Sequence, residues 1–129
     1  MAREKILIVD DALLNRRLIE TILKSQGYRL LTAVNGQEGL DLAIREQPDL
    51  ILMDIQLPDI DGYMVTKMLK KRSETKLIPI IALTASNASE DIQRATEAGC
   101  SGYITKPFSI DSFPRIIARL LEQRVPGDT

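Results

Sequence analysis

Five polar residues stand directly after apolar runs, and their types suit metal and phosphate chemistry. Ile6-Leu7-Ile8-Val9 ends in Asp10-Asp11, and Leu50-Ile51-Leu52-Met53 ends in Asp54. The run from Ile78 to Leu83, interrupted only by Pro79, ends in Thr84, and Gly102 to Thr105 leads into Lys106-Pro107. Three carboxylates brought together repel and raise one another's pKa. They become tolerable around a hard divalent cation, and Mg²⁺ takes one or two carboxylates plus waters and phosphate oxygens. Lys106 adds a second positive charge suited to a phosphoryl group. A carboxylate can itself be the nucleophile and form an aspartyl phosphate. The chain has no histidine, so His serves neither as base, phosphocarrier nor metal ligand.

Each residue also has a plainer reading. Asp10 and Asp11 can cap a following helix, because Asp is a favoured N-cap. Thr84 can cap the helix after its strand, and Lys106 can be a simple ion-pair partner. Asp54 is harder to explain that way. It follows four apolar residues and precedes Ile55, and a carboxylate buried there is costly unless paired.

The elements that would position these residues alternate along the chain. The continuous apolar runs suit strands buried on both faces of a parallel sheet. Arg29 to Val34 and Gly102 to Thr105 are weaker strand segments. Between them lie helical periods: Leu14, Leu18 and Ile22 with Ile19 and Leu23; Leu40, Ala43 and Ile44; Val65, Met68 and Leu69. Phe113, Ile116, Ile117, Leu120 and Leu121 follow the i, i+3, i+4, i+7, i+8 template. Ser89 to Ala98 is the poorest helix, with only Ile92 and Ala95 to bury. Gly27, Gly36, Gly62 and Gly99 mark helix ends or turns.

The pattern is α/β: five β-α units forming a doubly wound (βα)5 fold with a five-stranded parallel sheet in the order 2-1-3-4-5. Ligands of such sheets bind beyond the carboxyl ends of the strands at the topological switch point. Here that point lies between the first and third strands, flanked by Asp10-Asp11 and Asp54, with Thr84 and Lys106 arriving from the next two strands. Singly these residues say little; their convergence on one edge is the signal.

Composition bounds the rest. The 129 residues suffice for one domain, expected over residues 1–124 with a short tail at 125–129 and no output domain. One cysteine excludes an internal disulfide framework. The 17 basic and 18 acidic residues leave a formal charge of −1, which argues against a basic nucleic-acid grip. No apolar run approaches the ~20 residues that span a bilayer. The N-terminus runs straight into a strand with no signal-peptide pattern, so a cytoplasmic location is expected. Lys67, Lys70, Lys71, Arg72 and Lys76 read as a solvated helix end, and Cys100 as a small buried spacer.

At the residues that carry the chemistry, the sequence resembles the receiver domain of two-component response regulators. The matching segments are Ile6 to Asp11, Asp49 to Pro58 with Asp61-Gly62, Ile80 to Ala85, and Gly102 to Pro107. The resemblance spans roughly residues 4 to 122, and the segments around Asp54 to Pro58 and Gly99 to Pro107 are similar to the DivK group of single-domain regulators. It implies Asp54 as phosphoacceptor, and Mg²⁺ held by Asp10, Asp11, Asp54 and the backbone carbonyl of Gln56. It implies that Thr84 and Lys106 bind the phosphoryl oxygens, with Ala85 leaving access, and that Gln56 and Ser86 tune dephosphorylation. Thr84 and Tyr103 are the implied switch pair, acting on the surface of the fourth helix, fifth strand and fifth helix. The alternative for Tyr103 is a half-exposed strand residue. A cis Lys106–Pro107 peptide is implied as well.

The implied donor is a sensor histidine kinase or histidine phosphotransfer protein, with Leu14, Asn15, Pro107 and Phe108 as docking candidates. Helix core is the alternative for Leu14. The output is a downstream protein partner, with no direct nucleic-acid or membrane binding, and the chain a monomer or a weak phosphorylation-dependent dimer. The implied role is a switch that assists its own phosphorylation and dephosphorylation, not a turnover enzyme. A haloacid-dehalogenase-type hydrolase needs a second Asp two residues after the nucleophile, where this chain has Gln56. A flavin-binding module of the same fold needs a phosphate-binding first loop, where Asp10-Asp11 repels phosphate.

Overall fold

A computed structural model describes residues 4–85, 89–106 and 109–123. The tail, Ser86, Pro107 with its peptide bond, and Phe108 lie outside the described residues. The elements alternate throughout: β1 (Lys5–Val9), α1 (Leu13–Lys24), β2 (Arg29–Ala33), α2 (Gly36–Glu46), β3 (Leu50–Asp54), α3 (Gly62–Lys70), β4 (Ile80–Thr84), α4 (Ser89–Ala98), β5 (Gly102–Thr105) and α5 (Phe113–Gln123). The strands form one parallel sheet in the order β2-β1-β3-β4-β5. That is the doubly wound fold and strand order expected from the sequence.

Strand periodicity divides the core into two layers. Ile6, Ile8, Leu50, Leu52, Ile81 and Leu83 face α1 and α5, where Ile19, Leu23, Phe113 and Ile117 meet them. The alternate residues Leu7, Val9, Ile51, Met53 and Ile80 face α2 and α3, where Leu40, Ala43, Val65 and Leu69 pack. Each fully buried side chain of this kind contributes roughly 1.5–3 kcal/mol. The two layers make β1 and β3 rigid supports for the polar residues at their carboxyl ends.

The helical stripes are narrower than their apolar residues suggest. In α1, Ile19, Ile22 and Leu23 are buried, while Leu14 is 82% exposed. This overturns the core reading of Leu14, which points away from the layer its neighbours fill. Met68 and Ile116 are also exposed, and the buried Thr66 takes a place in α3 that the pattern assigned to no polar residue. Helix α4 is as poor as expected: it buries only Ala95 and Ala98. Lys70 departs from the solvated reading. Its Nζ donates to the carbonyls of Lys76 and Ile78 at 3.1 and 2.6 Å, tying the loop after α3 to that helix. Cys100 is partly buried, and burial pushes its thiol pKa up, consistent with a spacer. Among the described residues no helix is long and apolar enough to cross a membrane.

Candidate functional site

Backbone hydrogen bonds carry the ladder past the strand ends and fix the polar residues in place. The N–H of Asp10 donates to Ala33 O at 3.1 Å, that of Ile55 to Leu83 O at 3.2 Å, and that of Lys106 to Thr84 O at 2.7 Å. Asp10, Asp54, Thr84 and Lys106 therefore leave the sheet at one edge. Asp10 does not cap α1. Its Oδ1 accepts the N–H of Ala12 at 2.9 Å in a local turn, and α1 begins at Leu13 after an Ala12 N-cap with no side-chain bond. Thr84 ends β4, while α4 begins at Ser89, too far on for Thr84 to be its cap.

The three acids converge. One carboxylate oxygen from each of Asp10, Asp11 and Asp54 lies within 4.8 Å of the others. Asp10 and Asp54 are buried and Asp11 is exposed. Lys106 Nζ sits 3.3 Å from Asp54 Oδ1 and 3.7 Å from Asp10 Oδ2. Gln56 N–H donates to Asp54 Oδ1 at 3.2 Å. Burial, then repulsion from the Asp10 carboxylate, pushes the Asp54 pKa up from about 3.8 to about 6, with Lys106 pulling the other way. Asp10 Oδ2 is buried and accepts no hydrogen bond. A buried carboxylate oxygen without a donor is a group that a cation would satisfy. The all-oxygen, multiply acidic donor set fits Mg²⁺.

Beside the acids lies an open cleft of about 450 Å³, lined by Asp54, Gln56, Thr84, Ala85 and Lys106 among others. The structure thus brings together Asp10, Asp11, Asp54, Thr84, Lys106 and Gln56. Tyr103 is not part of this cleft. It stands on β5 opposite Ala82, 43% exposed. Three further residues shape the site. Gly62 begins α3 so close to β3 that a Cβ there would lie 2.3 Å from the Asp54 carbonyl oxygen. Only glycine fits this approach. Asp59 accepts the N–H groups of Gly36 and Gln37 at 2.7 and 3.0 Å, anchoring the β3–α3 loop to the start of α2. Arg94 reaches the cleft from α4. Asp61-Gly62 marked this turn in the sequence, but nothing there marks Asp59 or Arg94.

A five-stranded 2-1-3-4-5 sheet with an acid cluster, a threonine and a lysine at its carboxyl edge defines a receiver domain. The response regulator receiver domain family matches residues 6–118, and the chain belongs to that family. It is similar to the polar-differentiation response regulator DivK of Brucella anthropi, at 43% identity over 118 residues, covering 92% of this chain and 96% of that protein. Among solved structures it resembles the chemotaxis response regulator CheY4 of Vibrio cholerae, with a TM-score of 0.88 and 29% identity, covering 92% of this chain and 99% of that one. It also resembles the receiver domain of the sensor histidine kinase PA1611 of Pseudomonas aeruginosa, which has a magnesium ion coordinated in its active-site cleft. That match has a TM-score of 0.88 and 36% identity, covering 95% of this chain and all of that one.

Proposed function

We propose that this chain is a phosphoryl-accepting signalling switch of a two-component phosphorelay, with Asp54 as the acceptor. The observation that carries the reading is a buried carboxylate at a strand end, 3.3 Å from a lysine ammonium and clustered with two further acids beside an open cleft. The donor is the phosphohistidine of a kinase or phosphotransfer protein, since the chain itself has no histidine. An Asp54 carboxylate oxygen attacks phosphorus and the P–N bond breaks. The imidazole leaves with the bonding pair and takes a proton from water. Asp10, Asp11, Asp54 and the Gln56 carbonyl would hold Mg²⁺, which when bound supplies charge neutralisation for the transferring group. Lys106 pairs with the phosphoryl oxygens, and Thr84 donates its hydroxyl to them.

Switching arises from the added charge. Phosphorylation brings about −2 and three strong acceptor oxygens. Thr84 moves toward them, and the outward Tyr103 of β5 turns into the space vacated, changing the α4–β5–α5 surface that a downstream protein reads. A change from mostly off to mostly on takes about 5.5 kcal/mol of differential stabilisation. The exposed Leu13, Leu14 and Leu18 support the first turns of α1 as the donor's docking face.

The test is intact-mass detection after incubation with Mg²⁺ and a small phosphodonor, beside Asp54→Asn. One base-labile phosphoryl adduct is expected on the wild type alone. An adduct retained by Asp54→Asn refutes the site. Mg²⁺-dependent binding of beryllofluoride, measured in parallel, separates a site that cannot bind a phosphoryl group from one that accepts only from its own kinase.

A further inference from the structure

One wall of the cleft is built from two helices and has no part in phosphoryl transfer. Asp61 caps α3 by accepting the N–H of Tyr63 on Oδ1 at 2.7 Å, and its Oδ2 lies 3.6 Å from Arg94 Nη2 on α4. The Arg94 guanidinium carbon stands 4.3 Å from the centroid of the Tyr63 ring. The Tyr63 hydroxyl donates to the Asp91 carbonyl at 3.2 Å. The first turn of α3 therefore grips α4 at two positions one turn apart.

Among the described residues, little else holds that part of α4. No residue from Ser89 to Arg94 is buried, and the helix's two buried side chains, Ala95 and Ala98, lie in its second half. Among the described residues, Tyr63 is the one large buried side chain in the cluster that contains them, where it packs with Ala82. Burial pushes the Tyr63 pKa above its ordinary value, so the hydroxyl stays a donor. The other end of the connection is fixed to the acceptor strand. Gly62 N–H donates to Ile55 O at 3.0 Å, and its Cα passes against the Asp54 carbonyl. A continuous path of contacts runs from the backbone of Asp54 through Gly62 to Asp61 and Tyr63, and across to Arg94.

We propose that Arg94, stacked on Tyr63 and paired with Asp61, is a latch that holds the first half of α4 against α3 and narrows the entrance to Asp54. Arg94 is a positioning residue and does not touch the reacting atoms. The proposal rests on the reading of Asp54 as phosphoacceptor. Without the latch the entrance widens, so water and small phosphodonors reach Asp54 more readily. The small-donor phosphorylation rate and the rate of phosphoryl loss then rise together.

The test begins with amide hydrogen exchange on metal-free, unphosphorylated protein, which needs no phosphoryl chemistry. Arg94→Ala is expected to speed exchange in α4 about fivefold, the effect of losing one exposed ion pair and one exposed cation–π contact, with the sheet unchanged. Arg94→Lys, which keeps a charge but loses the planar fork, should fall between. Tyr63→Phe should raise exchange in the first half of α4 by a smaller factor. Phosphorylation and decay rates of the same variants are then followed by intact mass with a small donor, where Arg94→Ala is expected to speed both about fivefold. Unchanged α4 exchange in Arg94→Ala overturns the latch. Faster exchange with unchanged phosphorylation and decay overturns its control of the entrance. A wild type that forms no adduct with the small donor and binds no beryllofluoride refutes the phosphoacceptor reading, while the exchange result still decides whether the latch exists.

Discussion

Replacing Asp54 with asparagine is expected to stabilise the metal-free protein at neutral pH, although it removes an ion pair. The Asp54 side chain is almost wholly buried, 3.3 Å from Lys106 and clustered with Asp10. Burial and then Asp10 push its pKa from about 3.8 to about 6. Two units at about 1.36 kcal/mol each set a ceiling of about 3 kcal/mol. The folded carboxyl holds its proton more tightly than the unfolded one. Its contribution therefore favours folding fully below about pH 4 and is lost as pH rises through about 6. An asparagine oxygen can still accept the Gln56 N–H, but Lys106 keeps only Asp10, at 3.7 Å. Setting that loss against the ceiling leaves about 1–2 kcal/mol. Urea unfolding in chelator at pH 5, 6.5 and 8 measures it. The difference between the two proteins cancels Asp59, Glu46 and Glu74, whose carboxyls are held below their ordinary range and act in the opposite sense. Asp54→Asn should be the more stable protein at pH 8, with the gap closing toward pH 5. A less stable Asp54→Asn at pH 8, or a gap that ignores pH, refutes the electrostatic account of the cluster.

Mg²⁺ should reverse that order, stabilising the wild type by roughly 2.7 kcal/mol at a hundredfold excess over its Kd and Asp54→Asn by less; equal stabilisation of both proteins would remove Asp54 from the ligand set. Lys106→Met should raise the Asp54 pKa above about 6, because the Lys106 charge lowers it more than the Gln56 N–H does, and carboxyl-carbon NMR titration reads this directly. Gly62→Ala should cost about 3 kcal/mol or more in urea unfolding, since its Cβ would stand 2.3 Å from the Asp54 carbonyl. Leu14→Ala should stay within about 0.5 kcal/mol of wild type while Ile19→Ala costs about 2–4 kcal/mol, a contrast that separates a surface leucine from a core isoleucine of the same helix.

The sheet and its order were legible because burial on both faces leaves a direct imprint. Leu50 to Met53 has no polar residue to accommodate and every one is fully buried. Asp54 was legible for the converse reason: a carboxylate ending such a run has no bland explanation. Helix faces were less so. In α1 the four-residue spacing of Leu14, Leu18 and Ile22 marks a stripe, but the helix settles on Ile19, Ile22 and Leu23, and Leu14 is left outside. Apolar residues on a surface helix do not say which of two adjacent rows meets the core. Side-chain contacts made by the β3–α3 loop and by α4 left no imprint. Asp59 bonds to residues more than twenty positions earlier, and Arg94 to residues on the preceding helix, through side chains that any solvated surface carries.

The cost of the acid cluster and the weakness of α4 are two sides of one physical arrangement. A cost of at most about 3 kcal/mol from desolvation and repulsion at Asp54 is small beside the summed burial of the side chains of β1 and β3, each contributing roughly 1.5–3 kcal/mol, so the fold holds the charges together without yielding. Whatever relieves that repulsion, a cation or a phosphoryl group accompanied by one, gains binding free energy from a site that cannot relax to escape it. The relief must then be expressed where movement is cheap. The strands cannot supply it, being packed on both faces. Helix α4 can: among the described residues, two buried alanines and a few polar contacts to α3 hold it, and those contacts begin at the residue next to Gly62, whose Cα lies against the Asp54 carbonyl. Rigidity at the charge and slack one helix away are the two conditions that let a local chemical event become a change of surface.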